Sequence, residues 1–517
     1  MNRFTATPLC VAILAIALGS TAVAQTVAAD EAPADFRSLL LEAGFSAEEL
    51  AAFADWSGEL SEAQADVASR LLFRLRAAGE GLVASDRHDV EPGQLVMVEG
   101  RVVSATLVEL PGAAREILEQ KQLTVCRVKL ADGLTVVVLS MQVPTAWSRR
   151  PPGTPLDEPV KLRGVSLGTA TLAGKTNPLV LARRLQWFPD ANVSAGVSWL
   201  VHHGFDAALL DEVRHGQPFT RLSESLEAKA FYEILAIVAQ CKPAELALRV
   251  RELLPAVEVA AKLDAAQAAA KRRELADEWK TASAATRELL RSEIANTLRR
   301  QATADHVAKR AKSGLSSIWP IVLDPERSTG DLFLIEGTAR RAVRIVVDDP
   351  SGSEIVPAKG DVRGDSQEAG LREYYELDVF TTDFQSQPAY KDQPVICCVA
   401  RLPEGFPTGE LIREPVRVAG IFFKKWAYAR RSDDEDETGD NRLPTRLAPP
   451  LMLAAEPEWL QAAAPAGPSH RGLWGGAAFA GIVAFLWIVL ARVSRRDRLA
   501  RAQRARYDAS LENLAEL

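Results

Sequence analysis

Residues Phe422 to Tyr428 read Phe-Phe-Lys-Lys-Trp-Ala-Tyr, the densest mixture of aromatic rings and cations in the chain. On an extended strand alternate side chains share a face, which sets Phe422, Lys424, Trp426 and Tyr428 against Phe423 and Lys425. Rings beside ammonium groups suit a sugar, a peptide or a stacked base, so these four residues are the candidate ligand or partner contacts. The competing assignment puts the rings in a core and the lysines at a strand end.

Other constellations invite a chemical reading and lose it on context. Gly164-Val165-Ser166-Leu167-Gly168 has the spacing of a hydrolase nucleophile elbow, which needs a strand, a strained turn and a helix, but no helical pattern follows. Gly174-Lys175-Thr176 ends a stretch resembling a phosphate-binding loop. Its first glycine, Gly168, stands one residue too early, and Asn177-Pro178 blocks the helix whose amides would hold the phosphate. His202, His203 and His215 have no Cys or acidic residue at a ligand spacing and read as surface or capping groups. The acidic run Asp433 to Glu437 lacks the Gly turn and terminal Glu of a calcium loop. No catalytic residue, cofactor or metal ligand is assigned.

The elements that must position these residues are set by a duplication. Glu158-Pro159-Val160 followed by Gly164 recurs as Glu414-Pro415-Val416 followed by Gly420, and each is succeeded by Pro-Leu-x-Leu-Ala and a tryptophan, Trp187 and Trp459. Upstream, Gly93, Leu95, Glu99 and Gly100 answer Gly330, Leu332, Glu336 and Gly337 at identical spacing. Val136 to Pro144 likewise answers Val395 to Pro403. A weaker helical match pairs Gly44-Phe45 and Leu50 with Gly204-Phe205 and Leu210. Internal repeats fix architecture before any local propensity does.

In the first copy, β-branched runs at Leu95–Val108, Leu123–Leu130, Leu134–Val143, Pro159–Ser166 and Leu179–Trp187 predict five strands. In order and size this resembles the OB-fold superfamily, whose glycine-containing first and fourth strands are similar to Val98-Glu99-Gly100-Arg101-Val102 and Val160-Lys161-Leu162-Arg163-Gly164. The Pro- and Arg-rich Thr145 to Asp157 departs from the helix that many such folds carry there, leaving another five-stranded barrel open. The expected class is α+β: two tandem repeats of a helical element plus a small OB-like barrel, followed by one transmembrane helix. The expected boundaries are 1–24 signal peptide, 31–90 and 91–190 for the first repeat, 195–325 and 326–461 for the second, 462–471 stalk, 472–491 membrane helix and 492–517 basic tail. Val257 to Lys312, rich in Ala, Lys, Arg and Glu without Gly or Pro, is one long helix or a helical pair inserted in the second repeat.

The ends carry the localisation. Arg3, an apolar run and Ala22-Val23-Ala24 make a secretory leader. Gly472 to Ala491 is free of charge, long enough to span a bilayer, and followed by seven arginines that mark a cytoplasmic tail. Gly472, Gly476, Ala480 and Ala484 recur every fourth residue and offer a homodimer seam. The segment between leader and span holds 53 basic against 64 acidic residues, a balance that weighs against nucleic acid. Cys126, Cys241, Cys397 and Cys398 read as small buried hydrophobes in preference to disulfide partners. The expectation is therefore a single-pass inner-membrane protein with a periplasmic ectodomain, non-catalytic, binding or organising an envelope complex through protein partners. The alternatives are a receptor-like binder of oligosaccharide or peptide using the second barrel, and, behind it, an exported hydrolase.

Overall fold

The computed structural model describes residues 35–347, 371–427, 448–461 and 479–501, short stretches within these ranges excepted. The chain divides into two compact units, Met1–Trp187 and Phe188–Leu517.

The first unit opens with α1 (Phe36–Glu42), α2 (Ala47–Leu50) and α3 (Glu62–Ala77). Ser46 starts α2 as a capping box: its hydroxyl accepts the Glu49 N–H at 3.0 Å while the Glu49 carboxylate accepts the Ser46 N–H at 2.8 Å. Six strands follow: β1 (Leu95–Glu109), β2 (Gln122–Lys129), β3 (Thr135–Gln142), β4 (Glu158–Leu172), β5 (Lys175–Arg184) and β6 (Gln186–Trp187), with short helices α4 (Gly112–Leu118) and α5 (Thr145–Ser148) between them. The order β1-β2-β3-β5-β4 returns to β1, so the sheet closes as a five-stranded barrel. β3 and β5 run parallel and the remaining neighbours antiparallel. Closure removes the exposed sheet edges that invite aggregation.

The second unit repeats this plan with additions. Its helices are α6 (Ala195–His202), a 3-10 turn at Ala207–Glu212, α7 (Leu226–Gln240), α8 (Pro243–Thr281), α9 (Ala284–Lys312), α10 (Trp319–Leu323) and α11 (Pro325–Ser328). Its strands are β7 (Leu332–Val346), β8 (Glu373–Thr381), β9 (Val395–Val399), β10 (Glu414–Lys425), β11 (Pro450–Ala454) and β12 (Glu458–Trp459), with the one-turn α12 (Thr382–Gln385) after β8. The ring β7-β8-β9-β11-β10 closes on β7, again with one parallel pair, β9 with β11.

The correspondence extends to irregularities that no barrel requires. β4 shifts register between Ser166 and Gly168, and β10 does so between Phe422 and Lys424, the same distance past Gly164 and Gly420. The two glycines themselves are forced: a Cβ at Gly164 would stand 2.7 Å from the Leu181 carbonyl oxygen, and at Gly420 2.6 Å from that of Leu453. The helical openings match as well. Phe45 N–H donates to Leu40 O and Phe205 N–H to Leu200 O, after Gly44 and Gly204 at φ +91 and +88, where a side chain is strained.

One expectation is corrected. No helix among the described residues is long and apolar enough to cross a membrane. Residues 479–499 are helical, but their charge-free part ends at Ala491, about 20 Å of helix against roughly 30 Å of hydrocarbon, and Arg492, Arg495, Arg496, Asp497 and Arg498 follow. Residues 472–478, including Gly472 and Gly476 of the proposed seam, lie outside the described residues, as does the leader. The transmembrane part of the fold class and the single-pass inner-membrane placement built on it are therefore withdrawn.

Candidate functional site

Two places gather the residues that sequence reasoning singled out: the end of β10, and the α8–α9 hairpin.

At the end of β10 a register shift separates the face of Lys424 from that of Phe422. Phe422 faces the barrel interior with Phe333, Val418 and Met452, and Phe423 packs under the helices, 5.7 Å between ring centroids from Phe231 of α7. Lys424 is completely buried, its Nζ 2.5 Å from Glu227 Oε1 on α7, and Glu227 also accepts the Arg214 N–H at 3.2 Å. Trp426 is half-buried against the same helical cluster, and Tyr428 lies outside the described residues. Of the four candidate contacts, then, Phe422 and Lys424 have no solvent face. Phe422 follows Val416 and Val418 into the barrel core by ordinary alternation; past it the bulge, with Phe423 as the extra residue opposite β11, breaks the alternation and turns Lys424 towards α7.

His215 joins this cluster. Its Nδ1 accepts the Lys425 N–H at 3.1 Å, its ring stacks on Phe422, and its Nε2 lies 3.1 Å from Thr329 Oγ1. Because Thr329 Oγ1 donates to the Pro325 carbonyl at 2.9 Å, the network assigns the proton to Nε2 and leaves the ring neutral. Burial pushes its pKa down, Glu326 opposes this, and Lys424 and Lys425 add to it. His202 and His203 lie elsewhere; His203 ends α6 and meets the Trp199 carbonyl, the capping role expected of it.

Ser166 is buried in β4; Gly174 lies in the turn between β4 and β5, and Lys175 and Thr176 open β5. The acidic run Asp433 to Glu437 lies outside the described residues. The four cysteines are free and buried. Among the described residues no group of three His, Cys, Asp or Glu could hold a metal ion.

Of the two forms expected of Val257 to Lys312, one long helix or a helical pair, the structure has the pair, beginning earlier, at Pro243, because Pro255 lies inside α8 and does not end it. The break falls at Ala282-Ser283, where the Ser283 hydroxyl accepts the Thr286 N–H to start α9. Leu246, Ala247, Val250 and Leu254 anchor α8 in the core beneath β10 and β11. At the return, Asp383 fixes the base of α9: it accepts from His306 Nε2 at 3.0 Å and from the Ile318 N–H at 2.9 Å, with Arg310 Nε at 3.1 Å.

Past Leu254, the buried residues of α8 are Ala261, Ala265, Ala268 and Leu275, a stripe at helical spacing, with Leu290, Ala304 and Ala308 their buried counterparts on α9. Arg300 pairs with Asp264 across the two helices. Near the tip a shallow groove of about 310 Å³ is lined by Ala276, Trp279, Arg291 and Ile294, with the Arg291 guanidinium 5.9 Å from the Trp279 ring centroid. On the side of α8 away from this stripe, Val259 and Leu263 are 68% and 59% exposed, flanked by exposed Ala256, Ala266 and Ala270.

No family model, no curated protein and no solved structure matches the chain.

Sequence reasoning missed Glu227, Thr329 and Asp383. Lys424 carried the one available signal, since a lysine between aromatic strand residues needs a carboxylate wherever burial is complete. Glu227, two residues after the α7 N-cap Ser225, looks like any acid in a first helical turn.

Proposed function

We propose that the protein acts by binding, as a scaffold that holds a protein partner on the α8–α9 hairpin of its second unit, with two barrels of OB-like strand order as its body. The observation that carries this reading is the outer face of α8. Large apolar side chains at Val259 and Leu263 stand in line on a helix whose other face is already closed by α9. Contiguous apolar surface of this kind marks interaction sites. The hairpin is already helical and packed on itself through Ala261, Ala265, Ala268 and Leu275, so docking on it orders little new chain.

A ligand site on the second barrel is the weaker reading, because Phe422 and Lys424 are enclosed and Trp426 keeps only part of its ring in solvent. The test is a photo-activated crosslinking residue placed at Leu263 of the full chain, with Glu404, an exposed barrel position, as the comparison. Protein adducts from position 263 and none from 404 are expected. Adducts from 404 alone, or from neither, would overturn the reading.

A further inference from the structure

We infer that the partner seated on the outer face of α8 is a second copy of this chain, docked antiparallel about a two-fold axis near Leu263; this rests on the binding reading above. Exposed Ala256, Val259, Leu263, Ala266 and Ala270 are separated by three, four, three and four residues. That is the alternation of a coiled-coil seam and narrower than the stripe a helix lays on a globular core. The residues that face α9, Ala261, Ala265, Ala268 and Leu275, fall on the opposite side of the helix. One helix therefore carries two seams: the inner one is filled by α9, and the outer one is open. Two hairpins joined through it make a four-helix bundle.

Charge selects the second copy and its direction. Exposed Arg249 and Glu252 precede the seam, and exposed Arg273 and Asp277 follow it. Laid antiparallel with the axis near Leu263, Glu252 of one copy meets Arg273 of the other, and Arg249 meets Asp277. The midpoint of Arg249 and Asp277 coincides with that of the apolar seam, and the midpoint of Glu252 and Arg273 falls half a residue from it. A parallel pair would instead set Glu252 against Glu252 and Arg273 against Arg273. Such an isologous arrangement makes each contact twice, so one favourable pair in the sequence counts double in the dimer. The alanines let the helices approach closely, and Val259 and Leu263 supply most of the apolar area at the centre.

Sedimentation of the full chain tests this, with circular dichroism confirming that each variant keeps its helices. The wild type is expected as a dimer, Leu263→Asp as a monomer, and Glu252→Arg as weaker in self-association by tenfold or more. Combining Glu252→Arg with Arg273→Glu is expected to restore association to within about threefold of wild type. A wild-type monomer at tens of micromolar, a dimer indifferent to Leu263→Asp, or a double reversal that fails to restore association would each overturn the inference. A monomer that still crosslinks to a different protein from position 263 would remove the second copy while leaving the binding reading intact.

Discussion

Trp459 donates its indole N–H to Glu414 Oε2 at 2.8 Å, tying the short β12 to the first residue of β10. Trp187 does the same to Glu158 at 2.7 Å in the first barrel, where β6 meets β4. The two bonds explain why the Glu-Pro-Val and the distant Trp travel together in the duplicated sequence. They differ in setting: Glu158 is buried and Glu414 only partly so. Trp187→Phe is expected to cost about 1.5 to 3 kcal/mol, the range for a hydrogen bond to a charged group, and Trp459→Phe less. Urea unfolding of the full chain measures both, and a larger loss at Trp459 would contradict the assignment.

Lys424 and Glu227 form a pair that solvent does not reach. Removing one member leaves a buried charge uncompensated, so Lys424→Met alone should destabilise by about 3 to 5 kcal/mol. Adding Glu227→Leu should recover most of that loss, since an apolar pair of similar volume is often neutral or better. The double-mutant cycle reads the difference directly, and additive losses would mean the two groups are not coupled.

Two groups of the second unit titrate in opposite senses. His215 has its pKa held below the ordinary range by burial, so its native contribution is present above about pH 6.5 and is lost as pH falls towards its depressed native value. Burial raises Asp331 to about 6, with the Ser194 hydrogen bond and Arg327 opposing; its contribution is present at low pH and is lost as pH rises through about 6. His215→Gln should therefore flatten the acid side of the stability profile. Asp331→Asn should gain on wild type between about pH 4 and 6. Denaturation midpoints taken across pH 4 to 8 check both signs.

Gly420→Ala should be costly although the residue sits in a regular strand, because the added methyl would meet the Leu453 carbonyl at 2.6 Å. A loss of about 1 to 3 kcal/mol is expected from overpacking, and Gly164→Ala should behave alike in the first barrel. Gly174→Ala meets no neighbouring atom and is strained only by its φ of +74, so it should cost less. Equal losses at all three positions would contradict the close-approach account.

The barrels were legible in the sequence because their constraints are backbone constraints. Gly164 and Gly420 cannot carry a side chain, and Trp187 and Trp459 need their glutamates, so these residues persist through the duplication at fixed spacing. The hairpin was legible as helix through its composition, though neither its break at Ala282-Ser283 nor its start was: one long helix fitted as well as a pair, a proline at the first helical position, Pro243, is favourable, and Pro255 disguised the continuity between them. The end of β10 was misread for a local reason. Alternation put Phe422, Lys424 and Trp426 on one face; Phe422 does follow Val416 and Val418 into the barrel core, but the bulge at Phe423 then breaks the alternation and hands Lys424 to Glu227. The matching bulge in the first barrel falls beside Gly168 at φ +95, a signal in the other copy of the repeat. The membrane span was inferred from a charge-free run whose described helical portion is too short for it.

The central claim, that the outer face of α8 is a contact surface and no part of this chain's own core, is tested most directly by Leu263→Asp. A surface position tolerates the change within about 0.5 kcal/mol. Compared as monomers, at a protein concentration below that of self-association, wild type and variant are expected to share one melting temperature, and protein crosslinks from a photo-reactive residue at the neighbouring Val259 are expected to be lost. A drop of several degrees between the two monomers, or crosslinks from Val259 that persist undiminished, would contradict the claim.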